Sequence, residues 1–405
     1  PNPDSEEFSK ENGYNVKPFI STLHLISIVN KKWAKLGHDP VGISKLEFSI
    51  FVPTLIDYKD IESYADSMIK FRLILKKKKA NRKKEIREFS KDFIKNFLKS
   101  KDEKLIDSTL KNIYEYTDNI IRYFRLTRYV YIRGNGYYVD LEPRRSVEIN
   151  SLLKVDSGEP LIFKNKNEFI EYSSDINKPS LPWDNLVSLR EISTKIIKEI
   201  TLLEVQLETS KFKEKDLAKV DKKELIKYIE ELRAIRRDLQ EEITHKKSQV
   251  LDSIKDYLKI LREDIYKMDG RPLALEKYIA LGLNALNDAL KIKPNYPVGD
   301  DNEPTNTAPA GEPDIECFYD HYNSICEVTM LKDRSQWYNE GQPVMRHLRD
   351  FEEKNKSKNA YCLFIAPSLH VDTIETFWFA IKHGYRGKKQ KIIPLTINQF
   401  SDLLI

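Results

Sequence analysis

Apolar residues recur at helical spacing over residues 17–35, and Ser44 with Glu47 makes a capping box that opens a second helix. From Asp60 to about Ser100 the helical pattern continues, and another helix is predicted over roughly Lys104–Tyr123. The period then changes. Tyr129–Arg133 and Tyr137–Leu141 alternate as strands about Gly134-Asn135-Gly136, a strong hairpin signal. Residues 151–185 read as irregular, with NKPSLPW (Asn177–Trp183) as a boundary. Leu186–Met268 is helical again, with opposite charges interspersed and no Gly or Pro, which is the profile of long helices in a spacer. After Gly270-Arg271-Pro272 a helix is predicted over Leu273–Leu290, burying Leu275, Ile279, Leu283 and Leu286. A flexible stretch, 293–311, leads to strands at Ile315–Tyr319 and Ser324–Thr329. A helix starting at Pro343, a strand Tyr361–Ala366, a helix near Val371–Lys382, a strand Lys391–Leu395 and a helix in Gln399–Leu404 follow. That alternation predicts an α/β sandwich around a small mixed sheet.

With 405 residues, 40% hydrophobic and 32% charged, the chain has material for two or three domains, and wholesale disorder or a collagen-like repeat is excluded. No run of eighteen apolar residues occurs, and the N-terminus has no basic and apolar signal-peptide pattern. A start at Pro1 leads to the expectation that the natural protein begins earlier. Cys317, Cys326 and Cys362 form no disulfide framework. A zinc site at Cys317, His321 and Cys326 is conceivable, but without a CxxC pair small buried strand residues are the better expectation.

The net charge of +5 is unevenly spread. Residues 1–150 hold 29 Lys/Arg against 21 Asp/Glu, a net of +8; residues 151–250 hold 19 of each; residues 251–405 hold 20 against 23, a net of −3. A basic front suggests attraction to a polyanion, and a slightly acidic back suggests work for carboxylates. Lys76, Lys77, Lys78, Lys79, Arg82, Lys83, Lys84 and Arg87 crowd into twelve positions, either as a solvated helix face or as phosphate contacts. Arg122, Arg125, Arg128 and Arg133 interleave with tyrosines around the hairpin, which suggests a winged-helix-like DNA-binding module; the tyrosines equally suit hairpin packing.

Residues 294–331 contain no Lys or Arg, yet carry Asp300, Asp301, Glu303, Glu312, Asp314, Glu316, Asp320 and Glu327. Asp314 follows Pro313 at a strand start, and Glu327 lies inside the apolar run Ile325-Cys326-Glu327-Val328. A carboxylate in a buried strand is costly unless it is paired or bound to a cation, and hard oxygen ligands suit Mg²⁺. Pro-Asp, a strand, a turn and an acid on the next strand form the PD-(D/E)xK arrangement of metal-dependent nucleases. Its lysine is missing: Thr329 stands two residues after Glu327.

The segment GEPDIECFYDHYNSICEVTMLKDRSQWYNEGQPVMRHL, then NAYCLFIAP and KIIPLTINQFSDLL, resembles the cleavage domain of type IIS restriction endonucleases typified by AlwI, most of all the GAGTC-recognising nicking group. The likeness extends upstream through NKPSLPW and the hairpin to the first helices. It implies a catalytic set at Glu276, Asp314, Glu327, Glu340 and His347, at intervals of 38, 13, 13 and 7, with Asp314 and Glu327 as the direct metal ligands. His347 would accept or orient the proton of an attacking water, and Arg346 or the metal would replace the lysine's charge.

The expectation is therefore multidomain. A partial DNA-recognition domain, mainly α and winged-helix-like, fills residues 1–150, a helical linker 151–270, and an α/β PD-(D/E)xK nuclease 271–405. The implied activity is Mg²⁺-dependent cleavage or nicking of double-stranded DNA outside an asymmetric site, in a prokaryotic cytoplasm and away from membranes. Cutting both strands would call on a transient homodimer or a small nuclease subunit. The alternatives are a catalytically impaired DNA-binding relative and a basic RNA-binding or scaffold protein.

Overall fold

The computed structural model describes residues 13–77, 81–133, 138–268, 270–356 and 358–405. Lys78, Lys79 and the Gly134-Asn135-Gly136 turn lie outside the described residues. The chain forms two compact units, residues 1–199 with 213–233, and residues 200–212 with 234–405.

The first unit begins with α1 (Pro18–Lys35), β1 (Ile43–Ser44), α2 (Lys45–Phe51), α3 (Ile61–Lys77), α4 (Arg82–Leu98) and α5 (Glu103–Leu126). The strands β2 (Val130–Arg133) and β3 (Tyr138–Leu141) follow, then α6 (Ser146–Val155) and α7 (Lys166–Ser174). Its core joins Leu23, Ile26 and Val29 of α1 to Phe48 and Phe51 of α2 and to Met68 and Phe71 of α3. The capping box is present: Glu47 N donates to Ser44 Oγ (3.2 Å) and Ser44 N to Glu47 Oε2 (2.6 Å). β2 pairs antiparallel with β3, Val130 opposite Leu141, and β1 adds at the far side of β3 with Ile43 opposite Val139. Gly42 is required there, because its φ of +76° is joined by a close approach in which a Cβ would come within 2.3 Å of the Val139 carbonyl oxygen. α6 and α7 correct the irregular reading of 151–185; both are short helices, and α7 buries no residue, so its hydrophobic period is faint.

α8 (Leu186–Gln206) and α9 (Lys222–Ser248) are separated by residues 207–221, a break made without Gly or Pro. Glu204 stabilises it by accepting from the backbone N–H groups of Lys211 (2.6 Å) and Phe212 (2.8 Å). α10 (Leu251–Lys259) continues through one π-helical turn.

The second unit continues with α11 (Arg271–Leu286), β4 (Lys291–Pro294), β5 (Ile315–Phe318), β6 (Tyr322–Val328), α12 (Asp333–Lys354), β7 (Asn359–Ala366), α13 (Val371–His383), β8 (Ile392–Thr396) and α14 (Ile397–Asp402). The sheet order is β4-β5-β6-β7-β8, antiparallel up to β6 and parallel from β6 to β8, so α12 and α13 are the two crossovers. Strand residues alternate between two cores. Ile315, Cys317, Cys326 and Ile365 face Leu275, Ile279 and Leu283 of α11 with Phe400 of α14. Ile325, Cys362 and Phe364 face Val344, Leu348 and Phe351 of α12 with Phe377 of α13. All three cysteines are buried strand residues.

Three expectations are corrected in this unit. The predicted helix at 273–290 stops at Leu286, where Asn287 turns left-handed. The stretch 293–311 is partly ordered: β4 pairs with β5, and Asp300 is buried against Arg236 at 3.5 Å. Most consequential, the helix expected to start at Pro343 starts ten residues earlier and runs through the proline. Proline removes one helical hydrogen bond, but the first turns of α12 are anchored independently. Gln336, fully buried, donates to the carbonyls of Leu331 (3.0 Å) and Ser368 (2.7 Å), and Trp337 Nε1 donates to Thr376 (2.9 Å).

One ion pair sits deep in the first unit. Arg72 donates from Nε to Glu47 Oε1 (2.6 Å) and from Nη2 to Glu47 Oε2 (2.8 Å) and to the Gly42 carbonyl (2.6 Å). Removing one partner of a buried pair strands the other charge. Arg72→Ala is expected to destabilise this unit by about 3–5 kcal/mol, read as a lower denaturant midpoint for the transition of the unit; a change within error would mean that Glu47 finds water.

Candidate active site

Asp314 lies one residue before β5, and Glu327 lies in β6. The pairing of Ile315 with Cys326 puts the two acids next to each other on the face of the sheet that α12 covers. Asp314 accepts from Val328 N through Oδ2 (2.7 Å), and Asn295 fixes the preceding turn by donating from Nδ2 to the Pro313 carbonyl (2.8 Å) and from N to the Asp314 carbonyl (2.9 Å). Glu327 is 5% exposed, and its Oε1 stands 2.8 Å from Nδ1 of His347 in α12. Glu276, 4% exposed on α11, accepts from Ala308 N (3.1 Å). Glu340 lies seven residues before His347 on α12, two helical turns away on the same face.

Electrostatics tie the five together. Burial, then the charge of Glu327, holds the Asp314 carboxyl well above the usual range. Burial and the charge of Glu340 do the same to Glu327, against a backbone bond from Asp314. Burial, then Asp314, pushes Glu276 up to about 8. Glu340 is raised by burial and eased by a hydrogen bond with Thr329 and by His347. Burial, then the Arg346 guanidinium, lowers the His347 imidazole, whose Nδ1 stands 2.8 Å from Glu327 Oε1.

Among the described residues none of these four carboxylates is ion-paired to Lys or Arg. His347 Nε2 is buried and without a partner among them. The donor set fits a hard divalent cation: oxygen ligands, partly buried, with negative charge that no protein cation neutralises. No three His, Cys, Asp or Glu side chains among the described residues already stand in a metal-holding arrangement.

The five residues read from the sequence thus share one region of the second unit. The basic candidates all lie in the first unit. Lys77 ends α3, Arg82 and Lys83 open α4, and Arg122 lies on α5, all exposed. Lys76 is also exposed, with Nζ 3.0 Å from His38 Nε2 and 5.0 Å over the Trp33 ring. Arg125 is half-buried in the last turn of α5, and Arg128 is exposed at a positive φ of 60°. Arg133 is turned to its own unit, donating to Asp140 Oδ2 and the Pro40 carbonyl, both at 3.1 Å. One contributor was missed from sequence: Gln336 anchors α12, and a lone glutamine leaves no motif to find.

The mixed sheet sets Pro313-Asp314 and the buried Glu327 side by side, with His347 of α12 2.8 Å from Glu327. Residues 2–403 match the model of the AlwI restriction endonuclease family, and the chain belongs to that family. It is a type II restriction endonuclease, a site-specific deoxyribonuclease acting on double-stranded DNA. No curated protein matches the chain. Among solved structures it is similar to the small subunit (R.BspD6I2) of the heterodimeric restriction endonuclease R.BspD6I, at 26% identity over 37% of this chain and 76% of that one, with a TM-score of 0.33.

The raised Glu276 carboxyl makes stability depend on pH. Its folded pKa of about 8 exceeds the usual value of 4.5, so its contribution is complete below about 4.5 and is lost as pH rises towards 8. In chelator-treated protein the melting temperature should fall over that window, and Glu276→Gln should flatten the slope. An unchanged slope in the variant would assign the dependence to other groups.

Proposed function

We propose that the chain is a Mg²⁺-dependent type IIS endonuclease that hydrolyses one phosphodiester per active site, beside an asymmetric recognition sequence. The observation that carries this reading is the adjacency of Asp314, half-buried immediately before β5, and Glu327, buried in β6, without a Lys or Arg counter-ion among the described residues and with His347 2.8 Å from Glu327. Asp314 and Glu327 would hold the ion directly, with Glu276 beside them. Bound Mg²⁺ supplies polarisation of the scissile phosphate and a more acidic water. Glu327 orients the His347 ring through Nδ1, which leaves Nε2 to take the proton of an attacking water. Arg346, whose charge is felt at both Glu327 and His347, takes over the role of the motif lysine. Supercoiled plasmid with Mg²⁺ tests the assignment. Wild type should nick or linearise it, chelator should stop the reaction, and Asp314→Asn should fall to background. Equal products from wild type and variant would refute the site.

In this reading residues 1–150 are a winged-helix-like recognition domain, 151–270 a helical linker and 271–405 the nuclease. The β2–β3 hairpin beside α5 and the net charge of +8 over residues 1–150 support it. Lys77, Arg82, Lys83 and Arg122 would contact phosphates. Each substitution to Ala should reduce the slope of log affinity against log salt by about 1; slopes equal to wild type would return these residues to a solvated surface.

For the second strand we favour a second copy of the chain. Val371, Ile374, Trp378 and Ile381 form an exposed apolar stripe on α13, Trp378 being 54% exposed. Asp372 and Glu375 lie at one end of that helix, with Lys382 and Lys388 at and beyond the other, so two antiparallel copies would match opposite charges. In the plasmid assay Trp378→Asp should preserve nicking and suppress linear product. Linear product at the wild-type rate, or a wild type that only nicks, would remove the second copy and leave the nuclease.

A further inference from the structure

Residues 295–314, between β4 and β5, form a loop that is tied down in three places. At its base Asn295 donates to the Pro313 and Asp314 carbonyls, which closes the two ends on each other. Within it, Gly299 N donates to the Glu303 carbonyl (2.9 Å) and Thr305 N to the Pro297 carbonyl (2.8 Å), so the tip folds back on the stem. Against α11 the loop meets two consecutive residues. Ala308 N donates to Glu276 Oε2 (3.1 Å), and Lys277 Nζ donates to Glu303 Oε2 (2.5 Å). The third tie comes from α9. Arg236 Nη2 stands 3.5 Å from Asp300 Oδ2, and both side chains are 4% exposed.

These ties differ in weight. Lys277 and Glu303 are 27% and 50% exposed, and a solvated pair of that kind contributes little. Separating Arg236 from Asp300 would leave a buried charge uncompensated, so the tip of the loop is not easily released from α9. The helix is itself held to α11. Gln249, just past the end of α9, donates from Nε2 to Asn287 Oδ1 (2.8 Å), the residue that caps α11. All of these residues belong to the second unit. The end of α9 thus grips both elements that meet at Glu276: α11, which carries the carboxylate, and the loop, which brings its donor.

We propose that Arg236 is a positioning residue for the nuclease site: by holding Asp300 it seats the 295–314 loop on α11, so that Ala308 N fixes the Glu276 carboxylate beside Asp314 and Glu327. This rests on the nuclease reading above. Arg236 acts at a distance, since its guanidinium meets Asp300 and it is further along the same loop that Ala308 meets Glu276. The site gains order in this way without gaining a cation. A helix whose charged sequence reads as a spacer then has a part in the chemistry of the second unit.

Arg236→Met combined with Asp300→Leu replaces both charges by apolar side chains, so neither is left stranded in the interior. Arg236→Lys keeps the charge. The first readout is hydrogen exchange of the full chain without metal, followed by mass spectrometry. Segment 304–310 should exchange at least about 10-fold faster in the double variant, and near the wild-type rate in Arg236→Lys. The second is calorimetric titration of Ca²⁺ into the same proteins, where loss of such an outer partner costs about 10- to 100-fold in affinity. Single-turnover cleavage of a plasmid with Mg²⁺ should fall by a similar factor, with unchanged affinity for DNA. On a Glu276→Gln background the double variant should still exchange faster but add little to the Ca²⁺ loss, because Arg236 works through that carboxylate. Unchanged exchange in segment 304–310 overturns the proposal. So does an equal Ca²⁺ loss on both backgrounds with a lower melting temperature, which is what a merely structural ion pair would give. A wild type that neither cuts plasmid nor binds Ca²⁺ overturns the nuclease reading, and with it this role, even where the exchange behaves as expected.

Discussion

The register of β5 on β6 is the constraint on which the rest of the second unit depends. Ile315 opposite Cys326 makes Asp314 the neighbour of Glu327, and sends Cys326 and Val328 to the α11 face while Glu327 and Thr329 take the α12 face. A slip of one residue would reverse every side chain of β6, turning Glu327 into the apolar packing of Leu275 and Ile279. The register is well defended. β6 is bonded along its length to β7, from Tyr322 with Asn359 to Val328 with Ile365, and both faces of the sheet are buried. The strand pair that carries the acids is thus the part least able to shift.

Such rigidity has an electrostatic cost. Four carboxylates lie in one region where burial favours their neutral forms, with the Arg346 charge acting on Glu327 and His347. On the proposed function this crowding would be relieved by the cation that the site holds, at a geometry the strands already set.

Much of this was legible in the chain. Alternating strands and helices after residue 312 describe strands β5 to β8 of the sheet, and Pro313-Asp314 with an acid inside ICEV points to the candidate site on elementary grounds of burial. Glu276, Glu340 and His347 were legible only through resemblance, because single polar residues on helices have no pattern of their own. The course of α12 was misread, since proline usually limits a helix; what carries the helix through Pro343 is the anchoring of Gln336 and Trp337 to residues some 30–40 positions distant, 368 and 376. β4 was missed for a related reason. Its KIKP sequence is polar and ends in proline, which only an edge strand tolerates. The Glu47–Arg72 pair, 25 residues apart, likewise has no local signature.

The division of charge now has a physical sense. On the proposed function, carboxylates with no Lys or Arg counter-ion among the described residues would repel the phosphates of the substrate, and residues 251–405, with a net of −3, offer a polyanion no general attraction. Association has to be driven from elsewhere in the chain, and residues 1–150 are the part with the excess positive charge to do it. Separating the two tasks lets each be tuned alone. On that reading basic residues could be added or lost in the first part without disturbing the acids, and the acids kept crowded without weakening a hold on DNA. On the proposed function a bound cation would join the tasks, because neutralising Asp314 and Glu327 would end the repulsion between the strand end and the DNA backbone.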